Sequence, residues 1–233
     1  MSRRFSIPPT DAQADGLLRA AHDALSITAT ELLGRACQLV CIVARGGDET
    51  LACGALLHTA GRAGAGIDVI CLTQDAAPPL NDPKQEETAQ ALSRLAPEAR
   101  LHWIGETAGD LPARGRPAAR LAARLRPLIP AQALVLLPWE GEPLVDLQRG
   151  HHLGRAALHD EQRALCYAVE GRFRTEAAVP HGLRLLTAPP LSIAAKRRAM
   201  GAHLSRSADL DADPAPALMI EHFLQHPELY ILG

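Results

Sequence analysis

The sequence predicts an α/β fold, a single Rossmann-like domain over residues 1–233 whose mainly parallel sheet carries helices on both faces. Three observations carry this prediction. Residues 39–44 form an apolar run without alternation, the pattern of a strand covered on both faces. Comparable runs return at residues 67–73, 101–104 and 133–137, each separated from the next by a segment of helical character. Repeated βα units of this kind imply parallel strands joined by right-handed crossovers.

Taken in order, residues 11–25 and 29–36 read as helices ahead of the first strand, 39–44. Residues 50–62 read as a helix, and Gly64-Ala65-Gly66 then turns the chain into the second strand, 67–73. A polar, proline-rich loop occupies 74–83, followed by a helix over 84–95. The third strand is 101–104, a helix covers 116–128, and the fourth strand is 133–137. No internal repeat, low-complexity tract or linker divides the chain, and 233 residues suffice for one sizeable α/β core.

Composition excludes several classes of function. A hydrophobic content of 47% with 21% charged residues is that of a soluble globular protein. The net charge of -2 gives no bulk attraction to nucleic acid or to anionic membranes. The arginines between Arg114 and Arg126 fall on an alanine-rich helix without aromatics, a solvated face rather than a nucleic-acid groove. No apolar run approaches the roughly 18 residues of a membrane span, and the first residues lack an apolar signal core, so a cytoplasmic location is expected. The five cysteines, Cys37, Cys41, Cys53, Cys71 and Cys166, form no CxxC pair, which argues against a thiolate zinc site or a disulfide framework.

The chemistry-bearing stretch is Val43-Ala44-Arg45-Gly46-Gly47-Asp48-Glu49-Thr50-Leu51-Ala52-Cys53-Gly54, an apolar run broken by two glycines and followed by two acids. Polar groups at the C-terminal end of such a strand fall where open α/β sheets place ligands. Asp48 and Glu49 also suit the first turn of the following helix, where acidic side chains favour the positive end of the helix dipole.

This stretch resembles the signature of the LmbE-like (PIG-L) zinc-dependent de-N-acetylases, Ala-His-Pro-Asp-Asp-Glu-Thr-Leu-Gly-Cys-Gly-Gly. Aligned without a gap, Ala44, Asp48, Glu49, Thr50, Leu51, Cys53 and Gly54 match. Arg45 stands at the metal-binding histidine, Gly46 at the proline and Gly47 at the aspartate that acts as general base. Asp48 matches the second aspartate, a metal ligand. The resemblance extends to residues 84–96, with Lys84 at the family's arginine and Glu87 at its glutamate, and to residues 191–205, which place His203 near the family pocket. Glu221-His222-Phe223 and Pro227-Glu228-Leu229-Tyr230 are similar to the closing segment.

In the family a second histidine ligand follows a Pro-Trp-x-Gly-Asp sequence after the fourth strand. Here Pro138-Trp139-Glu140-Gly141-Glu142 opens that pattern and Gly154-Arg155-Ala156-Ala157 ends it. Counting back from Gly154 puts Gly150 on the ligand histidine, while the adjacent His151 and His152 offer an imidazole if the register slips.

The resemblance thus implies metal ligands at Asp48 and His151 or His152, and substrate contacts from Arg45, Glu49, Lys84 and His203. It implies zinc as cofactor, yet catalytic zinc needs three protein ligands and an open position. With Gly47 at the base position, no local group takes a proton from the attacking water. Two classes of function remain. One is a hydrolase releasing an acyl group from the amino group of a sugar-like substrate, with little or no activity. The other is a non-catalytic relative that keeps the pocket for an N-acyl sugar-like ligand or a protein partner, including a second copy of the chain. A nucleotide-binding Rossmann site is disfavoured, because Arg45-Gly46-Gly47-Asp48 lacks the Gly-x-Gly-x-x-Gly spacing.

Overall fold

A computed structural model of the chain describes Leu17 and residues 24–74, 83–173, 179–203 and 215–232. In chain order it contains β1 (Leu25–Thr28), α1 (Ala29–Leu33), β2 (Gln38–Val43), α2 (Asp48–Arg62), β3 (Gly66–Gln74), α3 (Pro83–Leu95), β4 (Arg100–Thr107) and α4 (Gly115–Leu125). There follow β5 (Leu134–Pro138), α5 (Val145–Ala157), β6 (Ala164–Tyr167), β7 (Leu183–Thr187), α6 (Pro190–Met200), α7 (Ala215–Gln225) and β8 (Leu229–Leu232). The strands make one sheet in the order β1-β7-β8-β6-β5-β2-β3-β4. All neighbours run parallel except β8, which is antiparallel to both β6 and β7.

The unbroken apolar character of β2 has a direct cause. Leu39, Cys41 and Val43 pack on one face against Leu51 and Leu56 of α2, Leu92 of α3, Ala195 of α6 and Phe223 of α7. Val40 and Ile42 pack on the other against Leu121 and Leu125 of α4 and Leu153 of α5. Both faces of the strand are therefore dry, and alternation disappears from the sequence. The expected α/β sheet with helices on both faces is the structure observed.

The outer parts of the sheet differ from the sequence reading. Most of the helix expected over residues 11–25 lies outside the described residues, and Leu25 itself opens the edge strand β1. Thr28 ends that strand and starts α1 through a capping box, its hydroxyl accepting from the Glu31 amide while the Glu31 carboxylate accepts from the Thr28 amide. The strands β6, β7 and β8, of four or five residues each, carry no periodicity long enough to read. The loop expected over 74–83 falls largely on residues 75–82, outside the described set. No helix among the described residues is long and apolar enough to cross a membrane.

From β2 the sheet extends one way through β3 and β4, then resumes on the other side of β2 with β5 and β6. The direction of winding therefore reverses between β2 and β5. Open α/β sheets keep their crevice outside the carboxyl ends of strands at such a point, which here lies between the turn into α2 and the segment entering α5.

Candidate functional site

The turn from β2 to α2 is held by its neighbours before any charge is considered. The Thr73 amide and hydroxyl both donate to the Ala44 carbonyl, at 3.0 and 2.7 Å, fixing the chain where it leaves the sheet. Gly46 then runs hard against α3 and β4. A Cβ at that position would sit 2.4 Å from Thr88 Oγ1 and 3.1 Å from Trp103 Cη2, so only glycine fits without displacement. Gly47 turns the chain at φ 94°, a conformation that disfavours other residues, and α2 starts at Asp48.

Asp48, Glu49 and Thr50 are fully buried at this helix start. The Glu49 carboxylate accepts from the Gly47 amide at 2.8 Å and from the Thr50 hydroxyl at 2.7 Å, and so serves as the cap that the turn itself lacks. Burial pushes the Glu49 carboxyl above the ordinary range, with the adjacent Asp48 charge adding to it, against hydrogen bonds from Thr50 and backbone amides.

The positive charge facing these acids is Arg45. Its Nε donates to Asp48 Oδ2 at 3.5 Å and its Nη2 to Glu170 Oε1 at 3.2 Å. The arginine side chain is 26% exposed and Asp48 is not exposed at all. Burial disfavours the guanidinium charge, but Asp48 and then Glu170 outweigh it and hold Arg45 above its ordinary range.

Glu170 reaches Arg45 because its loop is anchored from beneath. The buried Glu142 carboxylate accepts backbone amides of Val169 at 2.5 Å, Glu170 at 2.9 Å and Gly171 at 2.8 Å. Trp139 is wedged between two glycines, with would-be Cβ atoms of Gly141 and Gly171 at 2.4 and 2.8 Å from its ring. Burial pushes the Glu142 carboxyl up to about 8, against the Val169 and Gly171 amides and with help from the nearby Glu170 and Asp48 charges.

The histidines divide. His203, in the turn just after α6, is buried with Nε2 3.3 Å from Thr50 Oγ1 and 3.9 Å from Glu49 Oε1. Since the Thr50 hydroxyl gives its proton to Glu49, it accepts from His203, which places a proton on Nε2. His151 lies in the middle of α5, and its Nδ1 sits 2.9 Å from the Pro138 carbonyl and 3.7 Å from Cys166 Sγ. Burial keeps His151 below its ordinary range. His152 is exposed. Gly150 of α5 packs over the carboxyl ends of β2, β3 and β5, where a Cβ would meet Leu72, Pro138 and Ala44 at 3.4 to 3.9 Å. Lys84 is half-buried in the first turn of α3.

Arg45, Asp48, Glu49 and His203 therefore belong to one cluster at the carboxyl end of β2, whereas His151 bonds the Pro138 carbonyl at the carboxyl end of β5 and His152 is exposed. This donor set does not fit a catalytic zinc ion. The Asp48 carboxylate is engaged by a guanidinium that carries no lone pair to donate, and Gly150 offers no side chain where the crevice meets α5. Among the described residues no three histidine, cysteine, aspartate or glutamate side chains are grouped to hold a metal.

Two members of the cluster escaped the sequence reading. Glu142 had a signal, its place in the Pro-Trp-x-Gly-Asp pattern. Glu170 had none, because it lies 125 residues from Arg45 and arrives on a loop positioned by another side chain.

No protein-family model matches the sequence, and no curated protein matches it. Solved structures do resemble the fold. The zinc-inhibited form of teicoplanin deacetylase Orf2 is 17% identical, covering 83% of this chain and 96% of that one with a TM-score of 0.60. The N,N'-diacetylchitobiose deacetylase from Pyrococcus horikoshii is 13% identical, covering 86% and 85% with a TM-score of 0.61. The 4-carboxy-2-hydroxymuconate hydratase GalB from Pseudomonas putida KT2440 is 16% identical, covering 81% and 83% with a TM-score of 0.56. The fold thus serves more than one chemistry. With deacetylases among these neighbours and the strand order described above, the chain has the fold of the LmbE-like (PIG-L) deacetylases.

Proposed function

We propose that the protein uses the deacetylase fold to bind an N-acyl sugar-like ligand in the crevice between β2 and β5, with zinc-dependent hydrolysis weak or absent. The observation that carries this reading is the Arg45 guanidinium, which spans Asp48 and Glu170 and supplies a fixed positive charge beside the acids of the turn. A planar, permanently charged guanidinium satisfies carboxylates well but polarises no bound water into a nucleophile. Glycine at position 47 removes the proton acceptor expected there, and loss of a general base alone typically costs about 10²- to 10⁴-fold in rate. Deacetylase neighbours support the ligand class, and the hydratase neighbour shows why the fold does not settle the reaction.

The test is amine release from N-acetylglucosamine and N,N'-diacetylchitobiose with added zinc, alongside binding of the same sugars by calorimetry. Binding with turnover absent, or at least about 10²-fold below that of an active deacetylase assayed in parallel, is expected. Robust zinc-dependent turnover abolished by Asp48→Ala overturns the proposal. Absence of sugar binding overturns its ligand class and leaves the partner-protein alternative.

A further inference from the structure

At the edge of the sheet opposite the crevice, a cavity of about 420 Å³ opens where α2 and α3 end and β3 begins. His58, Arg62, Arg94 and Glu98 line it together with residues 64–66. Arg94 crosses to the end of α6, its Nη1 donating to the Arg198 carbonyl at 2.8 Å, so the last turns of three helices meet there.

The hydrogen bonds behind His58 determine what it offers to the cavity. Thr59 Oγ1 donates to the Ala55 carbonyl at 2.8 Å, Ser192 Oγ lies 2.8 Å from Thr59 Oγ1, and His58 Nδ1 lies 2.9 Å from Ser192 Oγ. A hydroxyl has one proton. Thr59 gives its proton to Ala55, so Thr59 accepts from Ser192; Ser192 gives its proton to Thr59, so Ser192 accepts from Nδ1–H of His58. Neutral His58 consequently has its proton on Nδ1 and a lone pair on Nε2. Protonation turns Nε2 into a donor and leaves the bonds behind it undisturbed.

We propose that this cavity binds a phosphate-type oxyanion between the guanidinium groups of Arg62 and Arg94 and the protonated Nε2 of His58, taking up one proton from solvent. Burial, and then the charges of Arg62 and Arg198, hold the free imidazole below its ordinary range. An anion placed among these cations removes that repulsion, so binding raises the His58 pKa and tightens as pH falls through it. The charged groups around His58 are Arg62 on α2, Arg94 at the end of α3, Glu98 in the turn that follows it, and Arg198 on α6. Glu98 is the one carboxylate lining the cavity among the described residues, and it sets the competition an incoming anion must overcome. Arg62, Arg94 and Arg198 also lie in last turns, where they offset the negative ends of the helix dipoles. That role needs neither a cavity nor an imidazole, and it gives no response specific to one anion.

The test follows the His58 ring proton by NMR through a pH titration of the whole chain, in phosphate and in chloride at matched ionic strength. The His58→Gln variant identifies the signal. The His58 pKa is expected to rise in phosphate, with half the effect at a concentration on the order of 1 mM. Arg62→Gln, an exposed position, and Arg94→Gln are each expected to weaken phosphate about ten-fold, the scale of one hydrogen bond to a charged group. Superimposable His58 titrations in the two salts overturn the proposal. A phosphate response unchanged in Arg62→Gln overturns it as well, and since that side chain is solvent-exposed, circular dichroism of the same sample verifies that the fold is retained.

Discussion

The Lys196 ammonium lies 2.8 Å from the Glu228 carboxylate, and both side chains are 3% exposed. The carboxylate also accepts the amides of Ala55 at 2.7 Å and Leu56 at 3.1 Å, and the Tyr230 hydroxyl at 3.0 Å. Glycine at position 54 makes room for the lysine stem, since a Cβ there would sit 3.0 Å from Lys196 Cγ. One buried pair therefore joins α2, α6 and the start of β8.

Removing one partner of a buried pair leaves an uncompensated charge, which typically costs about 3 to 5 kcal/mol. Lys196→Met is expected to lose that much stability in urea denaturation. Lys196→Met combined with Glu228→Gln is expected to recover part of it, because the unpaired charge is gone although only one of the Ala55 and Leu56 amides keeps an oxygen acceptor. A double variant as unstable as the single one would show that relief of the unpaired charge is outweighed by lost packing of the lysine stem and the lost backbone acceptor.

The Arg45 pair is looser and partly wet, so its effect is smaller. Arg45→Ala is expected to destabilise the fold by about 2 to 3 kcal/mol, below the fully buried range. Adding Asp48→Asn should restore much of the loss by removing the carboxylate left alone. A single variant as stable as the parent in chemical denaturation would make Arg45 an ordinary surface arginine.

Glu142 makes stability depend on pH in a stated direction. Its folded pKa, about 8, lies above the ordinary value of 4.5, so the folded state holds a proton that the unfolded chain releases. The contribution is fully present below about 4.5 and is lost as pH rises toward 8. Unfolding free energies measured across this window should decline with pH in the parent and flatten in Glu142→Gln. A decline of equal slope in the variant would assign the effect to another group.

The strands β2, β3 and β5 were legible because burial on both faces leaves a contiguous apolar run, and the helices between them because they alternate with those runs. The strands β6 to β8 were not, since four residues of strand, or five interrupted by Arg184, leave no period to detect. At the site, the turn from Arg45 to Glu49 announced itself through two glycines and two acids. What Arg45 does there was visible only by half. Its pairing with Asp48 follows from three residues of separation, whereas its bond to Glu170 depends on Glu142 gathering three backbone amides from a distant loop, an arrangement that no local spacing encodes.

The antiparallel insertion of β8 governs how the sheet can assemble. Without it, β1 and β7 have no hydrogen-bonded link to the other strands, and both β6 and β7 present unpaired edges. Such edges are templates for pairing with other chains. Closing the sheet therefore requires a segment about 60 residues beyond β6 in sequence, a long-range contact of the kind that slows folding. Glu228, at the threshold of β8, ties that segment to α2 and α6 in the folded state. The continuity of the sheet thus rests on a central strand whose start is tied to two helices through one buried carboxylate.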